Sequence, residues 1–131
     1  MSSRNAVSPS VGDAPVTSAD RKHIRFIEQH YAIEDRNREQ VMAFLFADPE
    51  LCTLLVEAHP HLITAFGPDH RIELEVVTDP EIEGFVEMFG YVLVSSPVEE
   101  ALARLHTFND SWFLSAMDRT NYRLTFSLKF A

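Results

Sequence analysis

The apolar residues of this chain change their period at Gly67-Pro68. Before that point they recur three and four residues apart, as one face of a helix requires. After it they alternate, as a strand with one buried face requires. A chain that switches in this way, with a helical stripe returning at 98–108 between two of its strands, predicts helices packed against a sheet.

Ile24, Ile27 and Tyr31 mark a first helix, and Thr17-Ser-Ala-Asp20 has the form of a capping box before it. Val41, Met42, Phe44, Leu45 and Phe46 give a wide apolar face to a second helix, from about Asp35 to Ala47. Asp48 is placed to cap the next helix, with Pro49 at its first position, where a missing N–H costs nothing. Leu51, Leu54, Leu55 and Ala58 follow at helical spacing. His59-Pro60 then reads as a new start and Gly67-Pro68 as a stop. A separate short helix is expected over 60–66, with Leu62, Ile63 and Phe66 inward and Gly67 in the left-handed position.

In the second half the expected strands are about 71–78, 85–95 and 121–130. Ile72, Leu74 and Val76 alternate with Glu73 and Glu75. The second strand is apolar on both faces, with Gly90 a candidate bulge. In NYRLTFSLKF five apolar side chains, Tyr122, Leu124, Phe126, Leu128 and Phe130, alternate with four polar ones. Between the second and third strands, Ser96-Pro97-Val98-Glu99 has capping-box form. Val98, Ala101, Leu102, Leu105 and Phe108 form a helical stripe, and Phe126 is expected to pack against Leu102 and Leu105 of it. Asn109-Asp110 is expected to break that helix, and Trp112, Phe113 and Met117 to lie on a last short one. The fold class is therefore α+β: a helical N-terminal half, then a small antiparallel sheet with helices on one face. The strand from 71 is expected in the middle, with Glu73 and Glu75 facing Arg123 and Lys129.

With 131 residues the chain is expected to form one domain over 17–131. Residues 1–16, rich in Ser, Pro, Gly and Ala, read as a disordered tail. They lack the apolar core of a secretory signal. The net charge of −9 argues against nucleic acid, since phosphate neutralisation needs clustered cations. Arg21, Lys22 and Arg25 form only a local basic patch. No apolar run is long enough for a membrane span. A single cysteine, Cys52, excludes an intrachain disulfide and suits the reducing cytoplasm.

One stretch carries the residue types of a site. EAHPHLITAFGPDH, 57–70, holds three histidines and two carboxylates in fourteen positions. His59, His61 and His70, with Glu57 or Asp69, suit a zinc or iron site by ligand type. Their spacing does not suit one, because residues two apart on a helix do not share a face. Capping and surface roles explain the same residues, and no cofactor is expected. The loop DPEIEG, 79–84, starts like a calcium loop but has Glu at two ligand positions and Gly90 at the twelfth. Cys52 has no histidine signature around it and reads as a small buried hydrophobe. Phe89, Tyr91 and Leu93 share one strand face. If helices cover only the other face, these three form an interaction surface; if the N-terminal helices wrap around, they are core.

HPHLITAFGPDHRIELEVVTDPE, ALARLHTFNDSWFL and YRLTFSLKF together resemble a group of small bacterial proteins of unknown function. The resemblance covers about 50–131. It implies a bacterial cytosolic protein and supplies no catalytic residues. The reading is a non-catalytic protein-interaction or regulatory module, acting with a protein partner or as a homodimer. The alternative is a small metal-dependent enzyme or ligand-binding protein with its site near His59, His61 and His70. Limited proteolysis should remove residues before about Thr17 and leave a stable core, because loosely packed termini are cut first. Resistance of that segment equal to the core's would sink the tail reading.

Overall fold

The computed structural model describes residues 18–78, 81–82, 84–120 and 122–130. The segment read as a tail, and Thr17 of the first capping box, lie outside them. Three helices come first: α1 (Ser18–His30), α2 (Asp35–Ala47) and α3 (Pro49–Phe66). The hairpin β1 (Ile72–Thr78) and β2 (Val86–Val94) follows, then α4 (Val98–Phe108) and its irregular extension to Thr120, then β3 (Leu124–Phe130). The architecture is α+β, with helices against one face of a three-stranded sheet.

α3 is the centre of the helical layer. Asp48 caps it by accepting from the Leu51 N–H at 3.2 Å, with Pro49 in the first turn as expected. Leu51, Cys52, Leu54, Leu55, Ala58, Leu62 and Phe66 are all buried along it. That stripe is continuous, so the expected restart at Pro60 does not occur. α3 runs through Pro60, which cannot serve the Val56 carbonyl four residues earlier. Pro60 is exposed, and burial of the stripe on both sides of it outweighs the lost bond. Gly67 ends the helix with φ 96° and ψ 164°, a glycine region, but not the left-handed helical one. α1 locks onto α3 through Tyr31, whose hydroxyl donates to the Leu55 carbonyl at 2.6 Å. α2 buries Val41, Phe44 and Leu45, while Phe46 is exposed and narrows the expected face.

The sheet order is β1-β2-β3, which corrects two expectations. β2 is central, not the strand from 71, and the sheet is mixed rather than antiparallel. β1 and β2 pair antiparallel from Ile72↔Val92 to Thr78↔Val86. β2 and β3 pair parallel from Met88↔Leu124 to Val94↔Phe130. The reasons were physical. β2 carries apolar residues on both faces, which fits the strand flanked by partners on both edges, and the helical segment from Val98 to Thr120 is the long crossover that parallel pairing needs. Ile72, Leu74, Met88, Val92, Val94, Leu124 and Phe126 are buried beneath the sheet.

The segment between β2 and β3 departs most from expectation. Pro97 itself is the N-cap of α4, with ψ 148°, so Ser96 lies one residue too far out and the capping box does not form. Ala101 and Phe108 are buried and Leu105 half-buried, but Val98 and Leu102 are exposed. Asn109-Asp110 does not break the chain; Asn109–Phe113 is a π turn. Phe108 and Phe113, five apart, would diverge on an α-helix. The wider turn stacks their rings 5.9 Å apart, 16° from parallel. Phe126 packs edge-on to Phe108 at 5.1 Å and Phe113 at 5.2 Å, while Leu102, one of its two expected contacts, is exposed. β3 is also shorter than 121–130. Tyr122 sits in a turn at φ 59°, and Tyr122 and Phe130 are both exposed.

Gly90 is not a bulge. It pairs in register with Leu74 and Phe126. A Cβ there would lie 2.7 Å from two atoms of the Phe126 ring, so the ring occupies the space a side chain would take. Gly90→Ala should therefore destabilise by about 1–3 kcal/mol, the usual cost of overfilling a core. Phe126→Ala should cost about 3–5 kcal/mol. Denaturant melts check both. A neutral Gly90→Ala would mean that the ring yields freely.

Candidate functional site

Two places bring together the residues singled out above. The first is a cleft of about 290 Å³ where the end of α1, the last turns of α3, the Gly67–His70 turn and the start of β1 meet. Gln29, His30, His59 and His70 supply its polar wall; Leu62, Ile63, Phe66 and Ile72 supply its apolar one. Ile27, buried on α1, and Tyr31, buried just after it, fix that helix so that His30 stands at the rim. The His30 and His59 rings are 4.7 Å apart. His59 also meets the Phe26 ring edge-on at 5.5 Å. Burial, and secondarily the neighbouring His30, push the His59 imidazole below its usual value. Burial pushes the Tyr31 phenol far above its usual range, and its proton is held on Leu55. His70 folds back over Gly67, and its Nδ1 is buried without a hydrogen-bond partner.

His61 does not join them. It points to the other side of α3 and stacks on Trp112, with ring centres 5.0 Å apart and planes 13° from parallel. Residues two apart on a helix diverge, as the spacing implied. Glu57 is bound to Arg119, at 3.0 and 3.1 Å, and Arg119 also reaches Glu50 at 2.8 Å. That guanidinium, bonded to the carboxylate, holds Glu57 below its usual value. Asp69 is exposed. Among the described residues no three His, Cys, Asp or Glu side chains are arranged to hold a metal ion. Cys52 is buried, with its Sγ 3.3 Å from the Leu45 carbonyl. His30 and Gln29 were missed by sequence reasoning. They lie some thirty residues from His59, and only the packing of α1 on α3 unites them.

The second place is the outer face of the sheet. Phe89, Tyr91 and Leu93 are half-buried there. Phe89 and Tyr91 stack at 5.5 Å, 13° from parallel. Lys129 crosses the face, with its Nζ 4.8 Å above the Tyr91 ring, 3.3 Å from Glu73 and 3.9 Å from Glu75. Arg123, expected opposite the same glutamates, pairs with Asp48 at 3.3 Å instead and lies over the Phe44 ring. The Thr125 hydroxyl donates to Glu87. Partial burial, then Glu75, push the Tyr91 phenol up, against the opposing pull of Lys129.

No family model matches this chain, and neither the curated proteins nor the solved structures contain a match.

The His61–Trp112 stack ties α3 to the π turn. His61→Ala should cost about 0.5–1.5 kcal/mol and shift the emission of Trp112, the single tryptophan. An unchanged emission spectrum would show that the two rings are not in contact.

Proposed function

We propose that this protein is a non-catalytic interaction module that pairs with a second copy of itself through β3. The observation that carries the reading is the geometry of that strand. β3 is an edge of the sheet. The Arg123 carbonyl accepts from the Met88 N–H at 2.8 Å, so 123, 125, 127 and 129 turn their backbone groups towards β2. Leu124, Phe126, Leu128 and Phe130 turn theirs to the open side. An antiparallel copy with its two-fold at Ser127 matches 124 with 130 and 126 with 128, which uses every outward group along β3.

Charge and apolar surface agree with this register. The chain carries 20 acidic residues, yet LTFSLKF contains a lysine and no carboxylate. In the paired register Lys129 faces Thr125 of the second copy, whose hydroxyl is held by Glu87. Phe130, Val98 and Leu102 are 48%, 55% and 41% exposed. Arg104 donates to the Phe66 carbonyl on the α3 side of α4, and at 100° per residue Val98 and Leu102 fall on the opposite flank. A copy across β3 covers that flank. An open edge strand is otherwise an aggregation hazard, and pairing removes it. The other edge is already engaged, since Ala32 donates to Ile72 and accepts from Leu74.

The extended sheet would present two copies of Phe89, Tyr91 and Leu93 on one face to a protein partner. No described helix is long and apolar enough to cross a membrane. The single buried cysteine and the acidic balance fit a bacterial cytoplasm and argue against nucleic acid.

Light scattering should give twice 14.9 kDa. Ser127→Cys should cross-link to its own copy under mild oxidation, and Thr125→Cys should not. Leu102→Glu, an exposed change, should weaken the dimer about tenfold or more. A monomer at every concentration, with no cross-link at 127, would refute self-pairing.

A further inference from the structure

We infer that the cleft between α1, α3 and the Gly67–His70 turn is a binding site for a small amphiphilic anion, a carboxylate with a compact apolar body. The inference is independent of self-pairing.

The composition of the walls comes first. Among the described residues no Asp, Glu, Lys or Arg lines the cleft, although acidic residues outnumber basic ones 20 to 11 in the chain. An anion entering it meets no carboxylate. It meets three imidazoles, each able to donate a hydrogen bond and to take up a proton, and the Gln29 carboxamide. Other polar groups nearby are already committed. The Tyr31 hydroxyl is spent on Leu55, and the Gly67 N–H on the Ile63 carbonyl at 2.7 Å. The Arg104 guanidinium is bound to the Phe66 carbonyl and to Glu100.

The contacts of His30 and His59 are with other rings. His70 Nδ1 is buried on the Gly67 side and makes no hydrogen bond among the described residues, so through that atom the ring takes no polar partner from the protein. His30 and His59 stand ring against ring, where two charges repel and an anion between or beside them would satisfy both. The opposite wall, Leu62, Ile63, Phe66 and Ile72, offers only carbon. A ligand with one charged end and one apolar end matches both walls. The volume, at the low end of small-molecule pockets, limits the apolar part to about a ring or a short chain.

The sign of the pH dependence follows. The groups facing His59 are His30 from α1, Tyr31 beyond it and no carboxylate from β1 or the turn. Burial favours the neutral form of His59, and a bound anion favours the charged one. Binding is then accompanied by proton uptake and strengthens as pH falls.

Benzoate is the probe, with benzyl alcohol and benzylamine as controls, read by the NMR signals of the histidine rings in the full chain. Benzoate should move the His30, His59 and His70 signals and leave His61 in place. Its affinity should rise about threefold or more from pH 8 to pH 6. His30→Gln, on an exposed position, should weaken binding without unfolding the protein, and His61→Gln should leave it unchanged. Three results would each overturn the proposal: benzyl alcohol binding as well as benzoate, benzoate shifts confined to other residues, or no saturable shift at all. Zinc titrated alone onto the same three rings, with submicromolar affinity and displacement of benzoate, would assign the cleft to a metal instead.

Discussion

The central strand can lie where it does because Gly90 has no side chain. The Phe126 ring from the neighbouring strand fills that space and turns its faces and edges to Phe108 and Phe113 below. One aromatic thus joins the sheet to the crossover helix, and the π turn exists at the point where both lower rings must face up. Through that contact β3 meets α4 and the turn after it. Aromatic pairs at these angles and distances add about 0.5–1.5 kcal/mol each beyond the area they bury.

On the other side of the sheet the joining is polar. Lys129 starts on β3, passes over Tyr91 on β2 and ends at Glu73 and Glu75 on β1. It is half-exposed, so each ion pair contributes about 1 kcal/mol or less. Its importance lies in what it spans. A cation that bridges both edge strands resists lateral splaying, and it lies over Tyr91 of the stacked pair Phe89 and Tyr91.

The helices were legible wherever a stripe and a boundary agreed. Asp35–Ala47 and the Asp48–Pro49 start of α3 read directly from capping residues and spacing. Pro60 misled because a helix start and an interior proline look alike locally; only the buried stripe on both sides decides between them. Asn109-Asp110 misled in the same way. Nothing in two polar residues signals a π turn, whose cause is the five-residue separation of two core phenylalanines. The strands were legible by period, but their order was not. Charge pairing suggested β1 beside β3, and Lys129 does reach β1, yet across the intervening strand. Apolarity on both faces of β2 was the better guide, because it reports burial rather than a reachable side chain. Of the cleft, His59 and His70 could be named from one stretch of sequence. His30 could not, since its partnership with them is made entirely by α1 packing on α3.

The parallel pairing of β2 with β3 also sets an order of events during synthesis. Leu124 lies 30 positions after Val94, and that length must be synthesised before β3 can begin to pair. At common translation speeds that interval is about 1.5–6 s. Throughout it the hairpin of β1 and β2 is already available, while the side of β2 meant for β3 has nothing to pair with. The nascent chain thus passes through a stage in which its most apolar strand is a raw edge, and the encounter it then risks is with a neighbour on the same message. A glycine at the middle of that edge has a second value at this stage: glycine is a poor strand former, and it weakens the very template that a premature partner would need.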